Sequence, residues 1–211
     1  MFATAIAISA CSSAAPATPA TSESPAPPGY EKQTTVYDIP PSSFIASQDC
    51  DGLQHGFLPR TALTISSGDA IDITLQVEVA DEAGEQSQGL MCRESVPPGT
   101  GMLFTYDTDR SNGFWMFNTY VPIDILYLDQ FGHVVDNITM SPCTRDSTKE
   151  PGLDTSTDDE WRVRCATEAN AYVPAGPWRN TLELPAGWLE TKGLGGPRGQ
   201  EITVSWVAPG P

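Results

Sequence analysis

The sequence Phe114-Trp115-Met116-Phe117-Asn118-Thr119-Tyr120-Val121-Pro122-Ile123-Asp124 is the densest run of aromatic, methionine and polar side chains in this chain of 211 residues. The run continues to Leu128, and residues 123–128 carry apolar side chains on both sides. A strand that is apolar on both faces is buried on both faces. We therefore predict a central strand here, with the carboxylate of Asp124 turned toward the interior.

Short apolar segments separated by polar turns predict further strands on either side of this stretch. The clearest is 71–79, where apolar residues alternate strictly with polar ones. The patterns predict strands at 61–65, 71–79, 102–104, 114–117, 123–128, 134–140 and 202–206, and short helices at 81–90 and 185–193. This set of elements is typical of a mainly β, α+β domain.

Composition divides the chain into four parts. We expect the end of a signal peptide at 1–11, a tether rich in Pro, Ala, Ser and Thr at 12–47, an ordered lead-in at 48–61, and a domain at 62–207 with an acidic insertion at 144–170. The tether cannot bury enough apolar surface to offset its ordering entropy, so we expect it to be extended.

The segment Ile8-Ser9-Ala10-Cys11 resembles the bacterial lipoprotein box, in which the Cys becomes the lipidated N-terminus of the mature protein. The apolar stretch before it is too short to span a membrane and is typical of the end of a signal peptide. We expect a lipid on Cys11 and a place in the bacterial cell envelope, on the extracytoplasmic side, in the periplasm or at the cell surface. The alternative is an ordinary apolar N-terminus with a chance Cys.

Four further cysteines are present, and an even number in an exported protein predicts disulfides, with three possible pairings. Cys143 and Cys165 bracket most of the acidic insertion, and closing a loop of this size removes about 3 kcal/mol of unfolded-state freedom. We therefore favour Cys143 with Cys165, which leaves Cys50 with Cys92. The chain has no Cys-x-x-Cys, so neither a thioredoxin-type redox site nor a zinc ribbon is supported.

Six ordered blocks of the sequence resemble the domain of unknown function 192 family (DUF192). They are Val77–Asp81, Gly89–Arg93, Gly101–Phe104, Phe114–Thr119 with Pro122–Asp124, Met140–Cys143, and Leu184 with Ala186–Trp188. The resemblance covers about residues 71–206. It implies one compact domain with a strongly bent, barrel-like mixed sheet and one or two short helices, in an exported or lipid-anchored bacterial protein. The family supplies no catalytic residue. It usually has a bulky residue where this chain has Cys92, which fits a disulfide to Cys50.

The buried carboxylate of Asp124 is the most informative candidate for a site, because such a group needs a partner or a shifted pKa. We expect Arg93 to be its partner, and Asn118 and Thr119 to complete the network. One interpretation is a structural polar knot that fixes the bend at Pro122. The other is a small binding pocket, since apolar walls with a few converging polar groups are typical of ligand sites. The residues of this pocket would be Arg93, Phe104, Trp115, Asn118, Thr119 and Asp124.

Two other patterns contain side chains that can bind a metal ion. Met91, Met102, Met116 and Met140 carry thioethers, which suit Cu(I) but are also ordinary core groups. Residues 107–113 nearly match a calcium loop, but the Gly falls one position late and no Glu stands at the bidentate position. We favour core packing and a polar loop, and predict no metal and no cofactor.

The net charge of −16 disfavours nucleic acid as a partner, because binding nucleic acid requires Lys and Arg against the phosphates. Two His residues, one near the tether and one at a hairpin tip, give little support for a Ser-His-Asp arrangement. We expect a monomeric, lipid-anchored module that binds a small molecule or an envelope component. The alternatives are a His-independent envelope enzyme using Asp124 as acid or base, and a purely structural or interaction domain.

Overall fold

The computed structural model describes residues 42–68, 71–145, 157–194 and 201–207, all within one compact unit that spans Gln33–Pro211. Cys11, the tether as far as residue 41 and residues 146–156 of the acidic insertion lie outside the described residues. Strands and helices follow in the order β1 Arg60–Ser67, β2 Ile71–Ala80, α1 Ala83–Gln88, β3 Thr100–Phe104, β4 Ile123–Leu128, β5 Val134–Met140, α2 Asp158–Glu168, β6 Asn180–Pro185, α3 Trp188–Thr191 and β7 Ile202–Trp206.

The seven strands form one mixed sheet in the order β5-β4-β6-β3-β2-β1-β7. Only β2 and β3 run parallel, and the other neighbours are antiparallel. The strand β6 comes late in the chain, yet it pairs with β3 on one side and β4 on the other. A strand from the end of the domain therefore lies at the centre of the sheet.

The sheet curves into a half-barrel, which confirms the mainly β, α+β fold expected from the sequence. Its two ends approach each other where the turn after β4 meets β7, and the Val204 N–H donates to the carbonyl of Gly132 at 2.8 Å. Gly132 has φ +87°, and a Cβ atom at this position would lie 2.0 Å from the Val204 oxygen. Only glycine fits at this junction.

The two faces of the sheet carry two separate hydrophobic clusters. On β4, Leu126 and Leu128 belong to the first cluster, whereas Ile125 and Tyr127 belong to the second. All six residues of β4 are buried. The expectation of a central strand with two buried faces is therefore confirmed, and the burial of Asp124 with it.

Two local expectations are wrong. Residues 114–117 form no strand beyond a single bridge between Phe117 and Cys143. The Phe114 N–H donates instead to the Tyr127 hydroxyl at 3.2 Å, and its ring packs edge-on against the ring of Phe104, so side chains and not a neighbouring strand hold this segment. The second error concerns the acidic insertion, which contains α2. Only Trp161 and Cys165 are buried on this helix, and two residues make too short an apolar stripe to reveal it.

The lead-in is attached to the domain at several points. Cys50 bonds to Cys92, and the Asp49 carbonyl accepts a hydrogen bond from the Asn118 side chain at 2.7 Å. Upstream of the lead-in, Phe44 already bridges to Arg93. The described part of the predicted tether, residues 42–47, therefore packs on the domain.

The second disulfide joins Cys143 to Cys165 across 22 residues and fixes α2 to the end of β5, as expected from the sequence. Trp161 reinforces this junction, because its indole N–H donates to the Cys143 carbonyl at 3.2 Å. The double variant Cys143→Ser/Cys165→Ser should lose about 3 kcal/mol of unfolding free energy, since its unfolded chain regains the freedom of the closed loop. Urea denaturation of the two oxidised proteins measures this loss. An unchanged midpoint would show that the loop is restrained without the bond.

Among the described helices, the longest has 11 residues, and none is long and apolar enough to span a membrane.

Candidate functional site

In the structure, the hydrogen-bond partners of Asp124 differ from those expected. Its carboxylate accepts one hydrogen bond from the Thr139 hydroxyl at 2.7 Å and another from the Gly187 N–H at 2.8 Å. The side chain thereby connects β4 to β5 and to the turn before α3. The expected ion pair with Arg93 is wrong, because Arg93 binds a different carboxylate, that of Glu78.

Arg93 binds Glu78 at 2.7 Å, and both side chains are buried. Its guanidinium carbon lies 4.6 and 4.1 Å from the ring centroids of Phe44 and Phe57, which are themselves in contact with centroids 5.0 Å apart. The Glu78 carboxylate also accepts the Leu58 N–H at 2.7 Å. Arg93 therefore holds the lead-in to β2.

Asn118 also has a structural role. Its backbone carbonyl accepts the Cys92 N–H at 2.8 Å, and both residues have positive φ, +55° and +58°. Its side chain binds the lead-in at Asp49. Asp124, Arg93 and Asn118 thus have separate partners, and the single network expected from the sequence does not form.

The hydrogen bonds of Asp124 allow a direct test of its role. Asn at this position has one side-chain oxygen, so it cannot accept from both Thr139 and Gly187 in the manner of the carboxylate. We expect Asp124→Asn to lower the unfolding free energy by about 2 kcal/mol, the scale of one lost hydrogen bond to a charged group. Denaturant unfolding measures the loss. The exposed neighbour Glu190 provides the control Glu190→Gln, and equal stability of both variants would contradict the structural role.

An open groove of about 280 Å³ lies beside Asp124, between β5 and α3. It is lined by Asp124, Asn137, Ile138, Thr139, Gly187, Leu189 and Glu190. Each oxygen of Asp124 already accepts one structural hydrogen bond, so a ligand in this groove would share a carboxylate that is tied to β5 and to the turn before α3.

The other three predicted pocket residues, Phe104, Trp115 and Thr119, do lie together. They line a small cleft of about 30 Å³ between α1 and the segment 114–119. Three aromatic rings and two thioethers supply most of its apolar lining. The lining residues are Gln86, Ser87, Gln88, Gly89, Leu90, Met91, Phe104, Phe114, Trp115, Met116, Thr119 and Glu183.

Glu183 is the residue of this cleft that reasoning from the sequence missed. On β6 it is paired with Met102 of β3 and Ile125 of β4, so its side chain lies on the face of the second hydrophobic cluster. The residue is only 5% exposed. Burial raises the pKa of the Glu183 carboxyl to about 8. Within the described residues, no hydrogen bond or ion pair reaches this carboxyl.

A signal for Glu183 was present in the sequence, since this carboxyl stands between the apolar residues Leu182 and Leu184. A carboxyl between apolar residues is unusual, and it indicates either a solvent-exposed face or a buried acid. The sequence does not show that β6 enters the centre of the sheet, and that insertion is what buries the group.

Two tyrosines face the same region. Burial raises the pKa of Tyr106 to about 12 and also raises the pKa of Tyr127. The Tyr127 hydroxyl donates to the Tyr172 carbonyl at 2.7 Å and accepts the Phe114 N–H. Both phenols therefore stay neutral across the physiological range, and Glu183 is the group near the cleft that changes charge there.

The residues weighed as metal ligands have ordinary partners. Met102, Met116 and Met140 are buried in the second hydrophobic cluster, with Met91 packed against it. In the near-calcium loop, Asp109 binds Arg179 at 2.8 Å. The part of the chain that the structure describes holds no group of three or more His, Cys, Asp or Glu side chains placed to share a metal ion.

Together, the fold and the cleft define a mainly β, α+β domain with a buried acid that is unpaired within the described part of the chain. The chain belongs to the DUF192 family, described as Uncharacterized ACR, whose model matches residues 63–203. No curated protein matches the chain.

Two solved structures share the fold. One, from Sinorhizobium meliloti 1021, is described as a candidate transcription regulator. It has a TM-score of 0.54 and 21% identity, over 72% of this chain and 97% of that one. The other is a protein of unknown function from Novosphingobium aromaticivorans DSM 12444. It has a TM-score of 0.51 and 22% identity, over 71% of this chain and 86% of that one. At these identities the similarity concerns the fold alone.

Proposed function

We propose that this domain binds a small ligand in the cleft between α1 and the segment 114–119. The single observation that carries the proposal is Glu183, a buried carboxyl that lines the cleft and has no hydrogen-bond or ion-pair partner among the described residues. Buried polar groups in folded proteins are nearly always paired. A polar side chain left free in an apolar cleft is the arrangement expected when a ligand supplies the missing partner.

Exposure of the rim supports entry from solvent. Trp115 is 37% exposed, and its ring stacks on that of Phe117 at 4.9 Å between centroids. Gln86 and Gln88 of α1 also line the cleft, and their amides are bonded to the backbone of Thr105 and of the lead-in. A ligand would thus meet an indole at the entrance and a single acid inside.

An enzyme is the second candidate, and the pKa of Glu183 near 8 favours it, since acids and bases used in catalysis have pKa values close to the working pH. In this variant of the proposal the acid or base is Glu183 and not Asp124. The oxygens of Asp124 are both occupied by structural donors.

We also propose that the protein is lipid-anchored at Cys11 and works as a monomer in the bacterial cell envelope, on the extracytoplasmic side. The sequence Ile8-Ser9-Ala10-Cys11 and two disulfides support this, because disulfides persist in oxidising compartments. Labelling of cells with a radioactive fatty acid should mark the protein but not its Cys11→Ser variant. Equal labelling of both would refute the anchor.

A thermal-shift screen of metabolites and metal ions tests the binding function. The protein to use is the full chain with Cys11→Ser, which cannot carry the lipid. We expect a stabilising hit that disappears in Glu183→Gln and persists in Asp124→Asn, since only Glu183 lies in the cleft. A hit lost in Asp124→Asn alone would assign the ligand to the groove beside α3. No hit in any protein would count against a binding function.

A further inference from the structure

We infer that the ligand of this cleft is a small organic amine, bound as its ammonium ion with the N–H groups directed at Glu183. This inference rests on the proposed binding function and specifies the chemical class of the ligand. Three independent features of the cleft lead to it: its charge, its aromatic lining and its size.

The charges of the cleft exclude an anion. None of the described residues that line it is Lys, Arg or His, and Glu183 is the single ionisable side chain among those residues. A ligand carboxylate or phosphate would find no positive group to bind. The chain itself carries a net charge of −16, which draws cations toward its surface.

The apolar lining is suited to a cation. The rings of Phe104, Phe114 and Trp115 line the cleft, and those of Phe104 and Phe114 meet edge to face with centroids 5.1 Å apart. Aromatic faces attract ammonium groups, and do so more strongly where water is excluded. An ammonium ion also supplies what Glu183 lacks, a hydrogen-bond donor and an opposite charge in one group.

The size of the cleft limits what enters it. A volume of about 30 Å³ accepts a group of one or two heavy atoms, such as an ammonium head with its first carbon. The remainder of the amine would extend along the half-exposed ring of Trp115 toward solvent. The expected ligands are therefore primary amines with a short apolar chain next to the nitrogen.

Charge on Glu183 links binding to pH. At neutral pH the carboxyl holds its proton, because its pKa is about 8. An ammonium ion binds the ionised form, so the proton must leave on binding. The titratable groups that face Glu183 are the phenols of Tyr106 and Tyr127, which stay neutral in this range. Beyond them, Arg110 stacks on the Tyr106 ring and Asp136 acts on Tyr127.

The test compares butylammonium with its neutral isostere 1-butanol and with butyrate, in phosphate buffer free of other amines. On the full chain with Cys11→Ser, butylammonium should bind about 50-fold more tightly at pH 8 than at pH 6, following ionisation of Glu183. At pH 7, saturating amine should release about 0.9 proton per protein, measured by pH-stat. Butanol and butyrate should bind at least 10-fold more weakly than the amine at pH 8.

Two variants locate the effect. Glu183→Gln keeps the shape of the side chain and should abolish both the proton release and the tight binding, with near-UV circular dichroism confirming the fold. Glu190→Gln removes one exposed carboxylate outside the cleft and should change neither. Amine binding that persists in Glu183→Gln would reveal attraction to the acidic surface and overturn the inference.

The outcomes separate the two proposals. One outcome is that butanol binds more tightly than the amine and that its affinity falls above pH 8. This result would mean that the protonated Glu183 donates a hydrogen bond to the ligand. It would overturn the amine class and leave the binding function standing. Failure of all three probes together with an empty metabolite screen would overturn both.

Discussion

Raising the pH from well below 4.5 to well above 8 should lower the unfolding free energy of this protein by about 5 kcal/mol through Glu183 alone. The carboxyl has its ordinary pKa of 4.5 in the unfolded chain and a pKa of about 8 in the folded domain. At 1.36 kcal/mol per pKa unit, the difference corresponds to about 5 kcal/mol. Stabilities of folded domains are about 5–15 kcal/mol, so this is a large fraction of the total.

The direction follows from proton binding. Between the two pKa values the folded protein holds a proton that the unfolded chain has released, so stability falls as the pH rises. The stability is fully present below pH 4.5 and the loss is complete above pH 8. This sign is opposite to that of a carboxylate held in an ion pair, which loses stability on acidification.

Urea unfolding of the oxidised protein between pH 4 and 9 measures the effect when it is compared with Glu183→Gln. The difference between the two proteins cancels the titration of every other group, and should slope by up to about 1.4 kcal/mol per pH unit between 4.5 and 8. Above pH 8 the difference should be constant. A difference independent of pH would show that Glu183 is ionised in the folded protein, which would also remove the basis of the proton release expected with an amine.

The sequence predicts the sheet better than it predicts the contacts between side chains. The strict alternation in β2 and the two-sided apolar pattern of β4 identify strands and their buried faces, because side chains of a strand point alternately to opposite faces. The pair Cys143–Cys165 follows from the length of chain that it closes. Each of these depends on residues close together in sequence.

The candidate site depends on contacts between distant segments, which periodicity does not specify. Alternation correctly turns Asp124 inward but does not reveal that the turn before α3 supplies its partner, Gly187, 63 residues later. For the cleft, likewise, the sequence predicts only some of the lining residues. Trp115 and Phe104 are found because they are aromatic, whereas Glu183 reaches them only through the insertion of β6 between β3 and β4.

Arg93 shows the same limit, and its actual partner leads to a second large effect. Arg93→Met should lower the unfolding free energy by about 3–5 kcal/mol, the scale of breaking a buried ion pair by removing one partner. The variant leaves the buried carboxylate of Glu78, 2.7 Å from the lost guanidinium, with the Leu58 N–H as its remaining donor among the described residues. It also removes the cation that lies over the rings of Phe44 and Phe57.

The matched control is the double variant Arg93→Met/Glu78→Gln, in which no charge is left buried at this site. We expect it to recover at least half of the loss, because the larger part of the cost is the uncompensated carboxylate and not the missing attraction. Guanidinium unfolding with unchanged m values measures all three variants, including Glu78→Gln. Since Arg93 holds the lead-in, Arg93→Met should also make residues 42–58 cleavable by protease under native conditions, whereas Glu183→Gln should not. A single variant as stable as the wild type would mean that Glu78 finds another donor, and that the lead-in is held by the Cys50–Cys92 bond without help from the ion pair.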